Sequence, residues 1–249
     1  MKIIPLSEGA FTIDKTKHFV PFNKEKDDLQ ERAIGSLLVE IQPFVVVTSK
    51  DIVLLDAGLG FTNRDGTLQI HQNLLDNGIH PGEVTKVLLS HLHKDHSGGV
   101  SREDKVSSLH MLSFPNAKYY VNKEELGYAL AKGKPSYTPE EFRILSDAEN
   151  VIFLEGNGVI DGYIHYELTG AHSPYHQVFS IIEDGEKIFF GADVAPQLQQ
   201  MKSKFIAKYD YDGKKCMELR QEWRDRGAKE NWTFLFYHDT SSPIFTFSL

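Results

Sequence analysis

Four potential metal ligands stand within the segment 91–96, which reads HLHKDH. His91 and His93 are two positions apart, so their side chains point to the same side of an extended chain. Asp95 and His96 follow in a predicted turn, which directs both toward a second, neighbouring point. Imidazole and carboxylate together are the ligands that zinc and its first-row neighbours prefer. The segment is therefore predicted to hold two divalent cations side by side.

The residues on either side of this segment argue against a chance run of surface histidines. Residues 87–89 (VLL) form a buried-strand signal that leads straight into His91, and residues 98–99 (GG) lead out of the segment. A surface histidine run needs neither a hydrophobic strand before it nor a pair of glycines after it. We therefore interpret the segment as a metal site at the end of a strand.

The segment resembles the H-x-H-x-D-H signature of the metallo-β-lactamase superfamily, and the rest of that family's pattern follows in order. Residues 170–176 (GAHSPYH) resemble its Gly-His-Ser/Thr-Pro-x-His turn, with Ala171 as an extra residue before the histidine. Residues 189–193 (FFGAD) resemble the strand and turn that carry a bridging aspartate. Residues 236–239 (FYHD) resemble the late strand that ends in a last ligand histidine. The resemblance extends from about residue 36 to residue 239.

This resemblance implies a dinuclear centre, so two divalent metal ions are the expected cofactors. Zinc is the first expectation, with manganese, iron and cobalt as alternatives. His176 is expected to support the centre without binding a metal, and Asp56 either hydrogen-bonds a ligand imidazole or caps its own turn. The implied ligands are His91, His93 and His172 for the first metal, Asp95, His96 and His238 for the second, and Asp193 as the bridge between them.

The chemistry expected of such a centre is hydrolysis. Two neighbouring cations that share a water lower its pKa from about 15.7 toward about 7, and the bridging hydroxide is then the nucleophile. Asp95 is the expected catalytic residue, because it can orient this hydroxide and carry its proton to the leaving group. Asp193 resembles the bridging carboxylate of the lactonase, phosphodiesterase and glyoxalase II branches, which true class B β-lactamases lack. The predicted function is a hydrolase of an ester-like bond, with a lactone or another carboxylic ester or thioester as substrate.

One position departs from the quorum-quenching lactonases that the chain resembles. Those lactonases have a tyrosine three residues after the bridging aspartate, where it helps to hold the substrate carbonyl. This chain has Pro196 at that position. Three other tyrosines stay open as substitutes, namely Tyr175, Tyr209 and Tyr237.

The walls of the substrate pocket are a further prediction. The long segment 194–231 is interpreted either as a lid over the metals or as core, and the segment 19–22 (FVPF) is a second candidate wall. Apolar walls on an acidic protein favour a neutral or hydrophobic ester over a polyanion. The candidate wall residues of the long segment are Met201, Phe205, Ile206, Tyr209 and Tyr211.

Three other functions stay open for the same residues. A phosphotriester or phosphodiester hydrolase would use the same centre. An oxidoreductase similar to the persulfide dioxygenases would use iron at the first histidine set, whereas the flavin-coupled di-iron branch usually has Glu at the position of His93. A non-catalytic binding scaffold normally loses ligands, but all seven candidates are present here.

The fold class follows from strands and helices that alternate along the chain. Because no linker interrupts them, we predict one α/β domain over residues 1–249. The resemblance implies, more specifically, the four-layer αββα sandwich of the metallo-β-lactamase fold. The predicted strands lie at 36–41, 44–48, 52–55, 87–89, 119–121, 151–154, 163–168, 178–182, 187–190 and 232–237, and the predicted helices at 68–77, 122–133 and 214–226.

The net charge and the cysteine content of the chain bear on its binding partners and on disulfide bonds. The chain has 249 residues and a formal net charge of −8, which argues against nucleic acid as a partner, since phosphate backbones are bound by clustered Lys and Arg. The basic stretch with Lys202, Lys204 and Lys208 is diluted by apolar residues, and we interpret it as a solvated face. Cys216 is the only cysteine, so no intramolecular disulfide is expected, and we interpret it as a packing residue.

The expected location is the cytoplasm. Residues 1–8 lack the continuous apolar region of a signal peptide, and no apolar run approaches the length of a membrane span. We therefore predict a protein that acts on a small-molecule substrate, without a membrane partner. The oligomeric state stays open, with a homodimer among the alternatives. The remaining histidines are interpreted as ordinary surface or core residues: His18, His71, His80, His110 and His165.

Overall fold

Two six-stranded sheets form the centre of the molecule. The computed structural model describes residues 1–103 and 109–248. In chain order, the strands are β1 (Lys2–Pro5), β2 (Gly9–Ile13), β3 (Phe19–Pro21), β4 (Leu37–Ile41), β5 (Phe44–Val47), β6 (Ile52–Leu55), β7 (Lys86–Leu88), β8 (Ser101–Glu103), β9 (His110–Leu112), β10 (Lys118–Asn122), β11 (Val151–Leu154), β12 (Gly158–Ile160), β13 (Ile164–Leu168), β14 (Gln177–Glu183), β15 (Glu186–Phe190), β16 (Thr233–Leu235) and β17 (Ile244–Thr246).

One long helix of 18 residues and several short helices accompany the strands. Asn122 begins the third helix by accepting hydrogen bonds from the backbone N–H groups of Glu124 and Glu125, which is an N-cap. In the described part of the chain, no helix is both long enough and apolar enough to cross a membrane. The helices are α1 (Gln69–Asp76), α2 (Lys94–Ser97), α3 (Lys123–Lys132), α4 (Pro139–Phe142), α5 (Leu198–Met201) and α6 (Gly213–Glu230), with 3₁₀ turns at Leu29–Glu31, Pro81–Glu83, Arg143–Ser146 and Ala192–Val194.

The two large sheets combine antiparallel and parallel strands. The first has the strand order β1-β5-β6-β7-β10-β11, and the second has the order β12-β13-β14-β15-β16-β17. In the first sheet β6, β7, β10 and β11 run parallel. In the second sheet β15 and β16 run parallel. Smaller sheets are formed by β3-β2-β4 and by β8-β9.

Successive residues of each strand face different layers, as the period of a β-strand requires. In β5, Val46 packs between the two sheets, whereas Val45 packs with side chains of α1 and α3. In β15, Phe190 faces the space between the sheets, whereas Phe189 packs against Trp223 of α6. Helices therefore cover the outer face of each sheet. This arrangement confirms the four-layer αββα sandwich.

The predicted site residues lie at the carboxyl ends of parallel strands. Asp56 follows β6 directly, and His91 lies three residues after β7. Asp193 and His238 lie three residues after β15 and β16. Because the carboxyl ends of neighbouring parallel strands meet at one edge of a sheet, these loops are brought to one edge of the sandwich.

The last predicted strand, 232–237, is shorter in the structure than in the prediction. After β16, one hydrogen bond continues the pairing with the chain before β17, and the next one takes the chain out of the sheet. The backbone N–H of Phe236 donates to the carbonyl of Pro243 at 2.8 Å, and that of His238 donates to the carbonyl of Pro196 at 3.0 Å. The second of these bonds brings His238 to the loop that follows Asp193.

Two other differences arise from tertiary contacts. Helix α6 extends beyond the predicted range 214–226 and ends at Asn231, which has a left-handed φ of 54°. The sequence pattern does not predict β1, β2 or β3. These strands are short, and their partners hold them, since β1 pairs with β5 and β2 pairs with β4.

Candidate metal centre

The structure brings together all seven side chains that were predicted as ligands. They form two groups, and the ligand atoms within each group lie within 4.8 Å of one another. His176 is in neither group. Its ring is buried, with its centroid 5.1 Å from that of His91, so it packs beside the centre as predicted. The first group is His91, His93, His172 and Asp193, and the second is Asp95, His96 and His238.

The carboxylate of Asp193 lies between the two groups. Its Oδ2 is 3.1 Å from Nε2 of His172, in the first group. Its Oδ1 is 3.1 Å from Nε2 of His96 and 3.0 Å from Nε2 of His238, in the second group. One oxygen thus faces each group, which is the arrangement a bridging carboxylate needs.

Carboxylates outside the centre orient two of the ligand imidazoles. His96 donates its Nδ1–H to Oδ2 of Asp56 at 2.7 Å, which is the first of the two roles predicted for Asp56. His172 donates its Nδ1–H to Oδ1 of Asp210 at 2.8 Å. Each donation fixes the tautomer of the ring and leaves the Nε2 lone pair directed inward.

Backbone and hydroxyl oxygens orient two further rings. His238 donates its Nδ1–H to the backbone carbonyl of Glu40 at 2.8 Å. Ser90 donates its hydroxyl proton to Asp56 at 2.7 Å, so its oxygen accepts from Nδ1–H of His91 at 3.0 Å. The Nε2 lone pairs of these rings also face the centre.

The inward-facing nitrogens test whether the centre suits metal ions. Nδ1 of His93 lies 2.9 Å from Nε2 of His91 and 3.1 Å from Nε2 of His172. In the described part of the chain, Nε2 of His96 and Oδ1 of Asp193 are buried without a hydrogen-bond partner. Lone pairs at such distances repel each other unless an electrophile lies between them. The donor set therefore fits a pair of divalent cations.

The charge states of His91 and Asp193 match metal binding. Burial, and then the neighbouring imidazoles, hold the pKa of His91 well below its usual value, which favours the neutral ring that binds metals. Burial alone would raise the pKa of Asp193. The rings of His238, His96 and His172 outweigh burial and hold that pKa well below its usual value, so Asp193 stays a carboxylate. Against burial, which lowers them, Asp193 raises the pKa of His96 and that of His238, so a metal ion has to displace a proton from these two rings.

Two residues in left-handed backbone conformations turn the chain into the centre. Asp56, directly after β6, has a φ of 57°, and Ala192, directly before Asp193, has a φ of 41°. For residues other than glycine such a conformation costs on the order of 1–3 kcal/mol and tends to occur at functional sites. These turns direct the carboxylates of Asp56 and Asp193 toward the histidines.

The glycine pair after the signature segment allows a close approach of two loops. A Cβ on Gly98 would lie 2.3 Å from the backbone carbonyl of Leu59, and one on Gly99 would lie 2.2 Å from the carbonyl oxygen of Ala57. Only glycine permits such contacts. The loop that carries Asp56 can therefore pack directly against α2.

Asp210 is a functional residue that the sequence reasoning did not single out. It is 38 positions from His172 in the chain, and no local motif marks it. The backbone N–H of Tyr211 donates to the carbonyl of His172 at 3.0 Å, and that of Asp212 donates to the carbonyl of Ala171 at 2.7 Å. These bonds hold the carboxylate of Asp210 against its histidine.

We expect Asp210→Asn to weaken metal binding about 10- to 100-fold, because His172 loses the charged acceptor that orients it. Affinity would be measured by competition against a chromophoric chelator. Asp225→Asn is the matched control, because the Asp225 side chain is 60% exposed and pairs only with the neighbouring Arg224 among the described ion pairs. Equal affinities in the two variants would refute the positioning role of Asp210.

Glu125 on α3 is a second residue that the sequence reasoning missed. Its side chain is fully buried, and it accepts hydrogen bonds from the backbone N–H of Leu92 at 3.0 Å and from the hydroxyl of Ser173 at 3.2 Å. Leu92 lies between two ligands and Ser173 follows another, so one carboxyl group ties two ligand loops together. Burial raises the pKa of Glu125 to about 7.

We expect Glu125→Ala to lower the free energy of unfolding by about 2–4 kcal/mol, because the buried N–H of Leu92 loses its acceptor and a cavity remains. Urea unfolding followed by circular dichroism would measure this change. Glu124→Ala is the control, since Glu124 is the exposed neighbour on the same helix and is expected to change stability by at most about 0.5 kcal/mol. The expectation fails if the two variants unfold at the same urea concentration.

The three candidate tyrosines have different surroundings. Tyr237 is buried, donates its hydroxyl to the backbone carbonyl of Asp95 at 2.6 Å and stacks on His96. The ring of Tyr175 packs against that of Tyr128. Tyr209 lines the cavity that contains the centre. Of the three, Tyr209 is therefore the one placed to meet a substrate.

A cavity of about 430 Å³ opens from the centre to the surface. Of the candidate walls, Phe19 from the segment 19–22 and Tyr209 from the segment 194–231 line it. Met201 is instead fully buried in the core under α6. Phe205, Ile206 and Tyr211 are exposed and are not among the residues that line the cavity. The cavity is lined by Ile13, Asp14, Lys15, Lys17, Phe19, Gly35, Leu37, Val39, His93, Lys94, Asp95, Ser136, His172, Asp193, Pro196, Lys208, Tyr209 and His238.

The remaining predicted roles concern residues away from the centre. Cys216 is buried in the hydrophobic cluster under α6, and burial raises the pKa of its thiol, in keeping with a packing role. The predicted ordinary histidines are in neither metal-binding group of the described residues: His18, His71, His80, His110 and His165.

Known proteins share this sequence pattern and this fold. The family model described as the metallo-beta-lactamase superfamily matches residues 40–238. The N-acyl homoserine lactonase AttM of Agrobacterium fabrum is 26% identical over 179 residues, which is 65% of this chain and 60% of AttM. The chain thus matches less than two thirds of the length of that relative.

Two solved structures have the same fold over nearly the whole chain. A probable metal-dependent hydrolase from Staphylococcus aureus superposes with a TM-score of 0.75 at 20% identity, covering 100% of this chain and 96% of that one. AidC, a dizinc quorum-quenching lactonase in complex with a product, N-hexanoyl-L-homoserine, superposes with a TM-score of 0.72 at 19% identity. That match covers 99% of this chain and 90% of AidC.

Proposed function

The chain belongs to the metallo-β-lactamase superfamily, and from this membership we propose that it is a metal-dependent hydrolase of a lactone or another carboxylic ester or thioester. The observation that carries the proposal is the carboxylate of Asp193, which presents one oxygen to each of two ligand groups. A carboxylate in this position resembles that of the lactonase branch. The cavity beside it has apolar walls that suit the acyl part of such a substrate.

The residues around the cavity have distinct proposed roles. When bound by the seven ligands, a pair of divalent cations supplies Lewis-acid polarisation and a water of lowered pKa. Asp95 lines the cavity, and its Oδ2 lies 3.5 Å from Nε2 of His238. There it would accept a proton from the attacking water and hand it to the leaving oxygen. Tyr209 would hold the substrate carbonyl from the cavity wall, since Pro196 has no hydroxyl.

The relatives support this substrate class and suggest the metal. AttM and AidC are lactonases by name, and AidC is described as a dizinc enzyme. We therefore propose zinc as the metal, with manganese, iron and cobalt as the alternatives to be tested. N-acyl lactones are the first substrates to try.

The second candidate function is the hydrolysis of phosphotriesters or phosphodiesters, and one observation favours the phosphodiesters. Lysines line the cavity beside the centre, and a phosphodiester is an anion. The same ligands would then hold the phosphoryl oxygen in place of a carbonyl oxygen. A direct comparison of substrates separates the two candidates.

The test is a hydrolysis panel with purified protein loaded with zinc, manganese, cobalt or iron. The panel contains N-acyl lactones, aryl esters, thioesters, phosphotriesters, phosphodiesters and β-lactams. We expect the lactones or esters to have the highest kcat/KM. Nucleotide diesters cleaved far faster than the carboxylic esters would refute the proposal in favour of the second candidate. Oxygen uptake with a persulfide substrate by the iron-loaded protein would instead indicate a dioxygenase, and inactivity on every substrate would indicate a binding scaffold.

A further inference from the structure

Lysines are concentrated at the cavity in spite of the acidity of the protein. Lys15, Lys17, Lys94 and Lys208 all line the cavity, although the chain has a formal net charge of −8. They come from three separate segments of the chain, so the tertiary fold assembles them. Lys208, which was predicted to belong to a solvated face, is exposed and also lines this cavity.

Among the described residues, the carboxylates that act on these lysines do so without a close ion pair, namely Asp14 on Lys15, and Asp95 and Glu141 on Lys94. Other lysines have close partners, as Lys24 has with Glu40 and Lys86 has with Asp51. None of the four cavity lysines is in such an ion pair among the described residues. Because the fold brings these four ammonium groups to one cavity, their positive charges favour an anionic ligand there.

The surroundings of two lysines direct them to the cavity. Lys94 donates its ammonium group to the backbone carbonyl of Lys17 and lies over the ring of Phe19, 5.5 Å from its centroid. The ammonium nitrogen of Lys17 lies 5.8 Å from the centroid of the Tyr209 ring. Asp14, a carboxylate in the same lining, accepts from the backbone N–H of Thr16 at 2.8 Å and remains a negative charge beside Lys15.

We propose that the substrate carries an anionic group, a carboxylate or a phosphate, which Lys15, Lys17 and Lys208 bind at the mouth of the cavity while the scissile ester lies at the metal centre. This inference rests on the proposed hydrolase function and names its substrate class. It also revises the neutral substrate that the composition favours.

The burial of the lining side chains indicates the shape of this substrate. Asp95 and Asp193 at the centre are only 8% and 9% exposed, whereas Lys15 and Lys208 are exposed. Apolar side chains complete the lining, and these are Ile13, Phe19, Leu37 and Val39. A substrate that matches this lining has a polar scissile bond at its buried end, an anion at its exposed end and an apolar part that meets these side chains.

The test compares esters that differ only at the far end of the acyl chain. The neutral ester is p-nitrophenyl hexanoate, and the anionic esters are the mono-p-nitrophenyl ester of adipic acid and the p-nitrophenyl ester of 5-phosphonopentanoic acid. We expect kcat/KM for an anionic ester to exceed that of the neutral ester and to fall about tenfold between about 10 mM and about 500 mM salt. The neutral ester should be insensitive to salt. The two anionic esters distinguish a carboxylate from a phosphate.

Lysine variants test whether the preference for anionic esters arises at the mouth of the cavity. Lys17→Gln and Lys208→Gln are each expected to lower kcat/KM for the preferred anionic ester about fivefold, mainly through KM. The double variant should lower it about 25-fold if the two lysines act independently. Lys204→Gln is the matched control, because Lys204 is exposed in the same segment and is not among the cavity-lining residues. It is expected to leave both substrates unaffected.

A binding measurement separates failure of this inference from failure of the proposed function. Calorimetry on the metal-loaded protein would compare adipate and hexanoate, which share one carboxylate and differ in the second. Tighter binding of adipate that is lost in the Lys17→Gln/Lys208→Gln variant supports the inference even if no ester is cleaved. Equal affinities for both acids, or equal and salt-insensitive cleavage of the neutral and anionic esters, would overturn it and leave the hydrolase proposal standing.

Discussion

Asp193→Asn is expected to reduce hydrolysis about a thousandfold, since about 4 kcal/mol of electrostatic stabilisation is lost. The carboxylate oxygens lie 3.1 Å from His172 on one side and 3.0 Å from His238 on the other. An amide of the same shape offers one weak acceptor and one NH₂ donor, and the donor faces nitrogens whose lone pairs already point inward. The variant also lacks the negative charge that offsets two neighbouring cations.

The measurement for Asp193→Asn is kcat/KM together with the metal content of the purified protein. We expect fewer than two metal ions per chain and a lower affinity for those that remain. Asp184→Asn is the matched control, because Asp184 is an exposed turn residue with a φ of 51°, which asparagine adopts readily. A variant at Asp193 with full metal content and wild-type activity would show that this carboxylate does not bridge the centre.

Asp95→Asn is expected to lower kcat about a thousandfold, within the range of about 10²–10⁴ that general acid–base catalysis contributes. The side chain is nearly buried but lines the cavity. Its Oδ2 is 3.6 Å from Nε2 of His96 and 3.5 Å from Nε2 of His238. Asparagine keeps an oxygen for these neighbours but cannot take up a proton and release it to the leaving group.

Two comparisons separate the proton-transfer role of Asp95 from metal binding. The first is a titration with excess metal, in which kcat of Asp95→Asn should stay low after the metal content has recovered. The second is Asp95→Glu, which keeps the carboxylate and is expected to recover part of kcat. If excess metal restores wild-type kcat to Asp95→Asn, then Asp95 is a ligand and not the residue that transfers the proton.

Much of the centre is predictable because its ligands occur in compact motifs. The segments 91–96 and 170–176 contain five of the seven predicted ligands, and both are recognisable without a structure. Within each segment a local turn fixes the spacing between the ligand residues. This spacing can be read directly from the sequence. The remaining ligands, Asp193 and His238, are recognisable because each follows a buried strand in the expected order.

The residues that orient the ligands are not predictable in this way. Asp210 reaches His172 across 38 positions, and Glu125 reaches Leu92 across 33 positions. The acceptor for His238 is the backbone carbonyl of Glu40, which any residue would provide. Such partners depend on where separate elements pack, and a single sequence has no local signal for that.

By itself, the sequence determined the ligand chemistry and the layered fold, because alternation along strands and the spacing of ligands are local properties of the chain. Only the tertiary structure decided which side chains line the cavity. It buried Met201 in the core, placed Tyr209 beside the centre and brought Lys208 to the same cavity as Lys17. These positions depend on how the segments after Asp193 and before β4 pack against the metal-binding edge. The charge around a bound substrate comes from residues that are far apart in the chain. It can therefore be determined only when the fold is known.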